Sequence, residues 1–181
     1  MANDQTNDDQ TNDNHKSDES KSTQKKTDEI ILRHIYTSLA AGLIPVPFVD
    51  FAAVSGIQLN MLRKLSEIYN APFSKDMVKN LIGAMLGGSA SASAGRVLSS
   101  AVKAVPIVGQ IVGIAGTSIL SGASTYAIGR VFNRHFAEGG TFLTFDPEKA
   151  KAFYAEMFKK GETIVSDLKA NKEKNSDKKE F

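Results

Sequence analysis

Asp50 stands at the end of "GLIPVPFVD" (Gly42 to Asp50), at a place where the apolar flanks call for a core residue. With Gln58 two helical turns further on, it is the best candidate in the sequence for a buried functional acid, carboxylate and amide sharing one hydrogen-bond network. A simpler role competes: an acid about one turn inside a helix accepts from free N-terminal amides and complements the helix dipole. Other residue types that do chemistry are poorly grouped. The serines of "GGSASASAGRVLS" lack the G-x-x-x-x-G-K-[ST] spacing that wraps phosphates in backbone amides, and the G-x-S-x-G spacing of a nucleophile elbow. They read as small packing residues. His15, His34 and His135 lack the i, i+4 spacing that presents two imidazoles to one metal, and read as ordinary surface histidines. With no cysteine in the chain, thiolate sites and a disulfide framework are excluded. No catalytic residue, cofactor site, metal site or small-molecule substrate is assigned, and the reading is of a non-enzyme.

The elements that would position Asp50 and Gln58 are set by prolines. Ile44 and Val46 each precede a proline, which biases them to extended backbone, and Pro47 suits the first turn of a new helix. Pro45 and Pro47 thus form a stiff breaker that sets the angle between two amphipathic helices. The first has Thr27 as N-cap, Asp28 and Glu29 in its first turn, and an apolar face of Ile31, Ile35 and Leu39 flanked by Leu32 and Tyr36. The second runs through about Tyr69, with Phe51, Val54, Ile57, Met61, Leu62, Leu65, Ile68 and Tyr69 on one face; Asn60, Arg63, Lys64 and Glu67 form a solvated one. Ser74 caps a further helix, with Phe73 and Val78 as a hydrophobic staple. Asp146, Pro147 and Glu148 open the last helix, which carries Phe153, Tyr154, Met157, Phe158, Ile164, Val165 and Leu168 as core or docking face. "TFLTF" (Thr141 to Phe145) has the look of a strand but is too short to organise a sheet.

Between these lie two segments of Gly, Ala, Ser and Thr. Gly83, Gly87, Ser91, Gly95 and Ser99 are spaced by four, as are Gly109, Gly113, Thr117, Ser121, Thr125 and Gly129. Rows of small residues at i±4 let helix backbones approach closely, as in membrane helix pairs, so a tight helical hairpin is expected. Asn80 to Gly95 carries no charge, but at ~1.5 Å per residue it falls short of a ~30 Å bilayer core. Ala104 to Gly129 is uncharged and long enough. Lys75 and Lys79 before the hairpin, with Arg130 and Arg134 after it, would mark a cytoplasmic membrane surface. Arg96 and Lys103 near the tip oppose full insertion. A hairpin in the membrane and a soluble hairpin packed by small residues both fit.

"SLAAGLIPVPFVDFAAVSGIQLNMLRKLSEIYNAPFS", "KAVPIVGQIVG" and "STYAIGRVFNRHFAEGG" together resemble the YcjF-like family (DUF697), bacterial domains of unknown function often fused behind Era-like or dynamin-like GTPase domains. The resemblance covers roughly Ile30 to Phe158. Its most specific pieces are the GLIPVP-x-x-D turn, the Gln58, Met61, Leu62, Leu65, Tyr69 pattern, and Thr125-Tyr126-Ala127-x-Gly129. It implies a membrane-associated helical module whose partner is a GTPase supplied in trans, and no known reaction.

The expected fold is all-α, with amphipathic helices, a Gly/Ala/Ser-rich hairpin at about 77–130, a C-terminal helix at about 147–170, a disordered polar tail at 1–26 and a charged tail at 171–181. Net charge is only +2. The dispersed lysines, without an aromatic-basic platform, argue against nucleic acid as a partner. The polar, acidic start has no secretory pattern, so the expected place is the cytoplasmic side of a bacterial inner membrane, with the cytoplasm as alternative. The expected partners are membrane lipid, a GTPase or a second copy of the chain. Alternatives to this docking role are a glycine-zipper pore and a soluble interaction module. Helix-turn and partner contacts fall to Pro45, Pro47, Asp50 and Gln58, and hairpin packing to Gly83, Gly87, Gly95, Gly109, Gly113 and Gly129.

Overall fold

The computed structural model of the chain describes residues 7–41, 49–87 and 114–177. Five helices make up these parts: α1 (Asn7–Ala41), α2 (Val49–Ile68), α3 (Lys75–Gly87), α4 (Ile114–Ala137) and α5 (Pro147–Asp177). No strand occurs among the described residues, and Thr141 to Phe145 form a turn instead. The all-α class follows.

Helix α1 buries a stripe of Thr27, Ile31, His34, Ile35, Ser38 and Leu39, the 3.6-residue pattern of one face. Residues 17–26 ahead of this stripe are exposed apart from half-buried Thr23. Helix without a buried face is marginal in water, so the packed domain begins at Thr27. Thr27 is nevertheless not an N-cap. It lies well inside α1, fully buried, and its hydroxyl donates back to the Gln24 carbonyl at 2.8 Å. No Gly or Pro stands between Asn7 and Lys26 to stop the helix upstream. His34 departs from the surface reading in the same way: it is buried, with Nδ1 against the Ile30 carbonyl at 2.7 Å and Nε2 against Asn60 at 3.1 Å.

Helix α2 buries Gln58, Leu59, Met61, Leu62, Leu65 and Ser66. It ends in a Schellman cap: Asn70 adopts φ 53°, its amide donates to Glu67, and the Ala71 amide donates to Ser66. Ser74 takes the N-cap position of α3, its carbonyl accepting from the Val78 amide at 3.0 Å. Helix α4 ends likewise at Gly139, φ 81°, with the Gly140 amide returning to His135. The following turn sends Phe142 and Phe145 back onto Phe132, at 5.5 and 4.4 Å between ring centroids. Asp146 then caps α5, its Oδ1 accepting from the amides of Glu148 and Lys149 at 3.0 and 3.3 Å.

At the centre stands α4, packed against α1, α2 and α5. The pairs Asp28–Arg130 and Leu39–Ser118 run α1 antiparallel to it, Gln58–Ser124 and Tyr69–Asn133 run α2 parallel, and Gly161–Ala123 followed by Val165–Gly122 runs α5 antiparallel. Helix α3 lies chiefly on α5. One end of the bundle therefore holds the finish of α1 and the starts of α2 and α4. The other holds the end of α2, the start of α3 and the 138–146 turn. Among the described residues no helix is long and apolar enough to cross a membrane.

Glycines decide how closely these helices meet. A Cβ on Gly129 would lie 2.9 Å from Ile31 of α1, on Gly122 2.8 Å from Val165 of α5, and on Gly161 3.0 Å from the Ala123 backbone. Backbone cannot rotate away as a side chain does. Gly161→Ala is expected to destabilise the fold by about 1–3 kcal/mol through overpacking. Gly83→Ala, where no atom lies within 4 Å, is expected to gain about 0.5–1 kcal/mol from helix propensity. Urea denaturation of both variants checks this, and a stabilised Gly161→Ala would contradict the close contact.

The cap of α5 carries a pH signature. Bonding from the Lys149 amide, then the Lys149 ammonium and the Glu148 amide, holds the Asp146 carboxyl below its usual range. A depressed folded value stabilises the native state above the unfolded value of about 3.9, and the gain disappears as pH falls through the folded value. Stability measured against pH is expected to show wild type ahead of Asp146→Asn near neutrality, with the difference closing in acid. A gap that widens in acid would refute it.

Candidate functional site

Small side chains on α4 let hydroxyl groups from neighbouring helices meet at its surface. Thr125, fully buried, donates to the Ser121 carbonyl at 2.9 Å, so its single proton is committed. It must accept from the Ser38 hydroxyl of α1 at 2.8 Å and from the Gln58 amide of α2 at 3.3 Å. Gln58 also donates to Ser124 at 3.3 Å, and the Tyr154 hydroxyl of α5 reaches Ser124 at 3.3 Å. Burial raises the Tyr154 phenol above its ordinary value, more than the Ser124 bond lowers it, so Tyr154 keeps its proton. Ser118 adds a bond to the Leu39 carbonyl at 2.9 Å. Four helices are thereby tied by one polar cluster whose central hydroxyl has both lone pairs and its proton engaged. Such a cluster fixes helix register; it has no free group at Thr125 to turn on a substrate.

Gln58 therefore belongs to this cluster through α4, and Asp50 lies eight residues away along α2, about 12 Å at helical rise. Asp50 is the second residue of α2, and its side chain, with Pro45 and Pro47, lies outside the described residues. Of the residues assigned to hairpin packing, Gly129 faces Ile31 of α1, Gly83 is exposed, and Gly87 is the last residue of α3. Gly95, Gly109 and Gly113 lie outside the described residues. The part of the second row that is described thus meets α1 within the same chain.

The basic residues divide. Arg130 forms a salt bridge with Asp28 of α1 and stacks over Tyr126 at 5.2 Å, while Arg134 pairs with Glu138 at 2.9 Å and covers Phe153 at 4.8 Å. Lys75 and Lys79, exposed at the start of α3, make no ion pair among the described residues. All four belong to the end of the bundle opposite Ile114, because Phe73 just before α3 packs edge-on against Phe142 at 5.8 Å. Among the described residues no three His, Cys, Asp or Glu side chains are grouped to hold a metal.

An open groove of about 640 Å³ runs between the outer faces of α1 and α2, lined by Lys26, Glu29, Leu32, Arg33, Tyr36, Lys64 and Ile68 with Ile30. Leu32 and Tyr36 are 42% and 41% exposed there. Sequence periodicity placed both beside the apolar face of α1; it could not show that α2 leaves them uncovered. The polar cluster was equally hidden, since its members come from four helices and its serines and threonines each read alone as small residues.

Thr125→Val is expected to destabilise the protein by about 1–3 kcal/mol, because the Gln58 amide and Ser38 hydroxyl are left buried without that acceptor. Combined with Ser38→Ala the loss should be smaller than the sum of the two single losses, as for groups in one network. A strictly additive cycle in denaturant melts would show that the hydroxyls are not coupled.

Comparison with known proteins identifies relatives of the chain. Magnetosome membrane protein 22 of Magnetospirillum gryphiswaldense is 37% identical over 147 residues, covering 81% of this chain and 75% of its own length. No solved structure matches the chain. The family model of a domain of unknown function, DUF697, matches residues 6–163, which span all of α1 to α4 and the first half of α5, and the chain belongs to that family.

Proposed function

We propose that the protein is a non-enzymatic, membrane-associated helical protein that docks a protein partner, a GTPase supplied in trans or a second copy of itself, at the cytoplasmic face of a bacterial inner membrane. One observation carries the membrane part: the relative that aligns over 81% of the chain is named a magnetosome membrane protein. The fold supports a particular mode of attachment. Helix α4 is sheathed by α1, α2 and α5, so Ala123, Tyr126, Ala127, Ile128, Val131, Phe132 and Phe136 serve the core rather than lipid. Residues 88–113, rich in Gly, Ala, Ser and Val, are then the attachment segment. They precede α4 in sequence, at the end of the bundle where α1 finishes ahead of the apolar stretch GLIPVP.

In this arrangement the cations nearest lipid headgroups are Arg96 and Lys103 of the segment itself. Lys75, Lys79 and the α1–α2 surface are left facing a partner. The saturated hydroxyls around Thr125 serve helix register. A GTPase as the partner rests on the family resemblance.

Wild type is expected in the membrane pellet after an alkaline carbonate wash. Replacement of residues 88–113 by a Gly/Ser linker is expected to move the protein to the supernatant while its circular dichroism still shows the α1–α5 bundle. Wild type in the soluble fraction before any wash would overturn membrane association, and a linker variant that stays in the pellet would overturn this attachment.

A further inference from the structure

We propose that the groove between α1 and α2 is the docking site for an acidic amphipathic helix of a protein partner. The proposal deepens the partner-docking half of the reading above and is independent of how the chain is attached to a membrane. The groove has an apolar floor and a basic rim. Leu32 and Tyr36 lie one turn apart on α1, Ile68 faces them from α2, and Lys26, Arg33 and Lys64 surround them against a single carboxylate, Glu29. None of these three cations makes an ion pair among the described residues, in contrast to Arg63, Arg130, Arg134, Lys149, Lys151 and Lys160, each of which has a carboxylate partner.

Shape and charge select the occupant together. Large apolar side chains recessed between two helices fit a third helix, whose residues at i, i+3 or i+4, and i+7 enter the gap. Unpaired cations on both walls fit carboxylates flanking that apolar stripe. An anionic bilayer suits the site less well on two counts. The apolar residues are half-exposed in a concavity rather than protruding. Upstream on the same continuous helix stand Asp8, Asp9, Asp13, Asp18 and Glu19 against Lys16 and Lys21. Laying α1 along an anionic surface would bring this acidic stretch alongside it, at a repulsive cost.

Full-length protein would be titrated, by fluorescence anisotropy, into a labelled peptide of about 18 residues, long enough for five helical turns, built from Glu and Leu with an amphipathic Leu stripe. A Lys and Leu peptide with the same stripe is the control. The acidic peptide is expected to bind, more weakly at higher salt, and the control not to bind. Arg33→Glu with Lys64→Glu, both on the helix exterior, should weaken the acidic peptide by about tenfold or more and admit the basic one. Leu32→Asp should weaken the acidic peptide too. No binding of the acidic peptide, or binding indifferent to these changes, overturns the proposal. So does loss of phosphatidylglycerol-vesicle binding in the double variant with peptide binding intact, which would make the face a lipid contact. A double variant altered only in self-association would make the occupant a second copy, again against the proposal. Carbonate fractionation of the double variant should match wild type, so failure of the groove and failure of membrane attachment are read separately.

Discussion

Close approach of helices to the small-residue surface of α4 is the constraint on which the rest of the structure depends. Gly129 admits Ile31 of α1, Gly122 admits Val165 of α5, and the Ala123 backbone lies against Gly161. Dispersion falls off steeply with separation, so a gap of even half an ångström at these contacts would forfeit much of the attraction. The same proximity brings the short hydroxyl side chains of Ser38 and Thr125 within 2.8 Å across two helices. With larger residues at these positions the helices would stand apart, and those hydroxyls would have no partner in a water-poor interior.

From that close packing comes a division along the bundle. The middle carries the hydroxyl and amide cluster, and one end carries an aromatic cluster of Phe132, Phe136, Phe142 and Phe145 with Phe73 and Tyr69. Arg130 and Arg134 lie over Tyr126 and Phe153, their charge held by carboxylates and their cations over ring faces. At the opposite end lie the finish of α1 and the starts of α2 and α4. A helix that reads as a membrane span by composition is, from Ile114 on, the centre of a bundle whose outer helices carry the charge. Apolar character all round a helix marks burial, and either lipid or other helices can provide it.

Elements with a strong local cause were legible in the sequence. Asp146-Pro147 started α5 where its own amides and carboxylate meet, Ser74 preceded α3, and Ile31, Ile35 and Leu39 formed the buried stripe of α1. Local causes also misled. Thr27 has the chemistry of a cap, but the polar residues before it hold no breaker, and helix α1 runs through. His34 has a polar side chain in sequence and a buried one in space, because Ile30 and Asn60 satisfy it. Thr141 to Phe145 have the look of a short strand; Phe142 and Phe145 instead turn inward together once Gly139 has reversed the chain.

By itself the sequence determined that the chain is helical, which faces are apolar and where the small residues recur, because each of these rests on interactions within a turn or two of the chain. It also sufficed for the family. Which helix the small residues meet, how Gln58, Ser38, Ser124 and Tyr154 converge, and that Leu32 and Tyr36 stay open beside Lys26, Arg33 and Lys64 were decided only by tertiary structure. Those hydrogen bonds join residues 30 to 87 positions apart, and no periodicity within one helix specifies what packs, or fails to pack, against its surface.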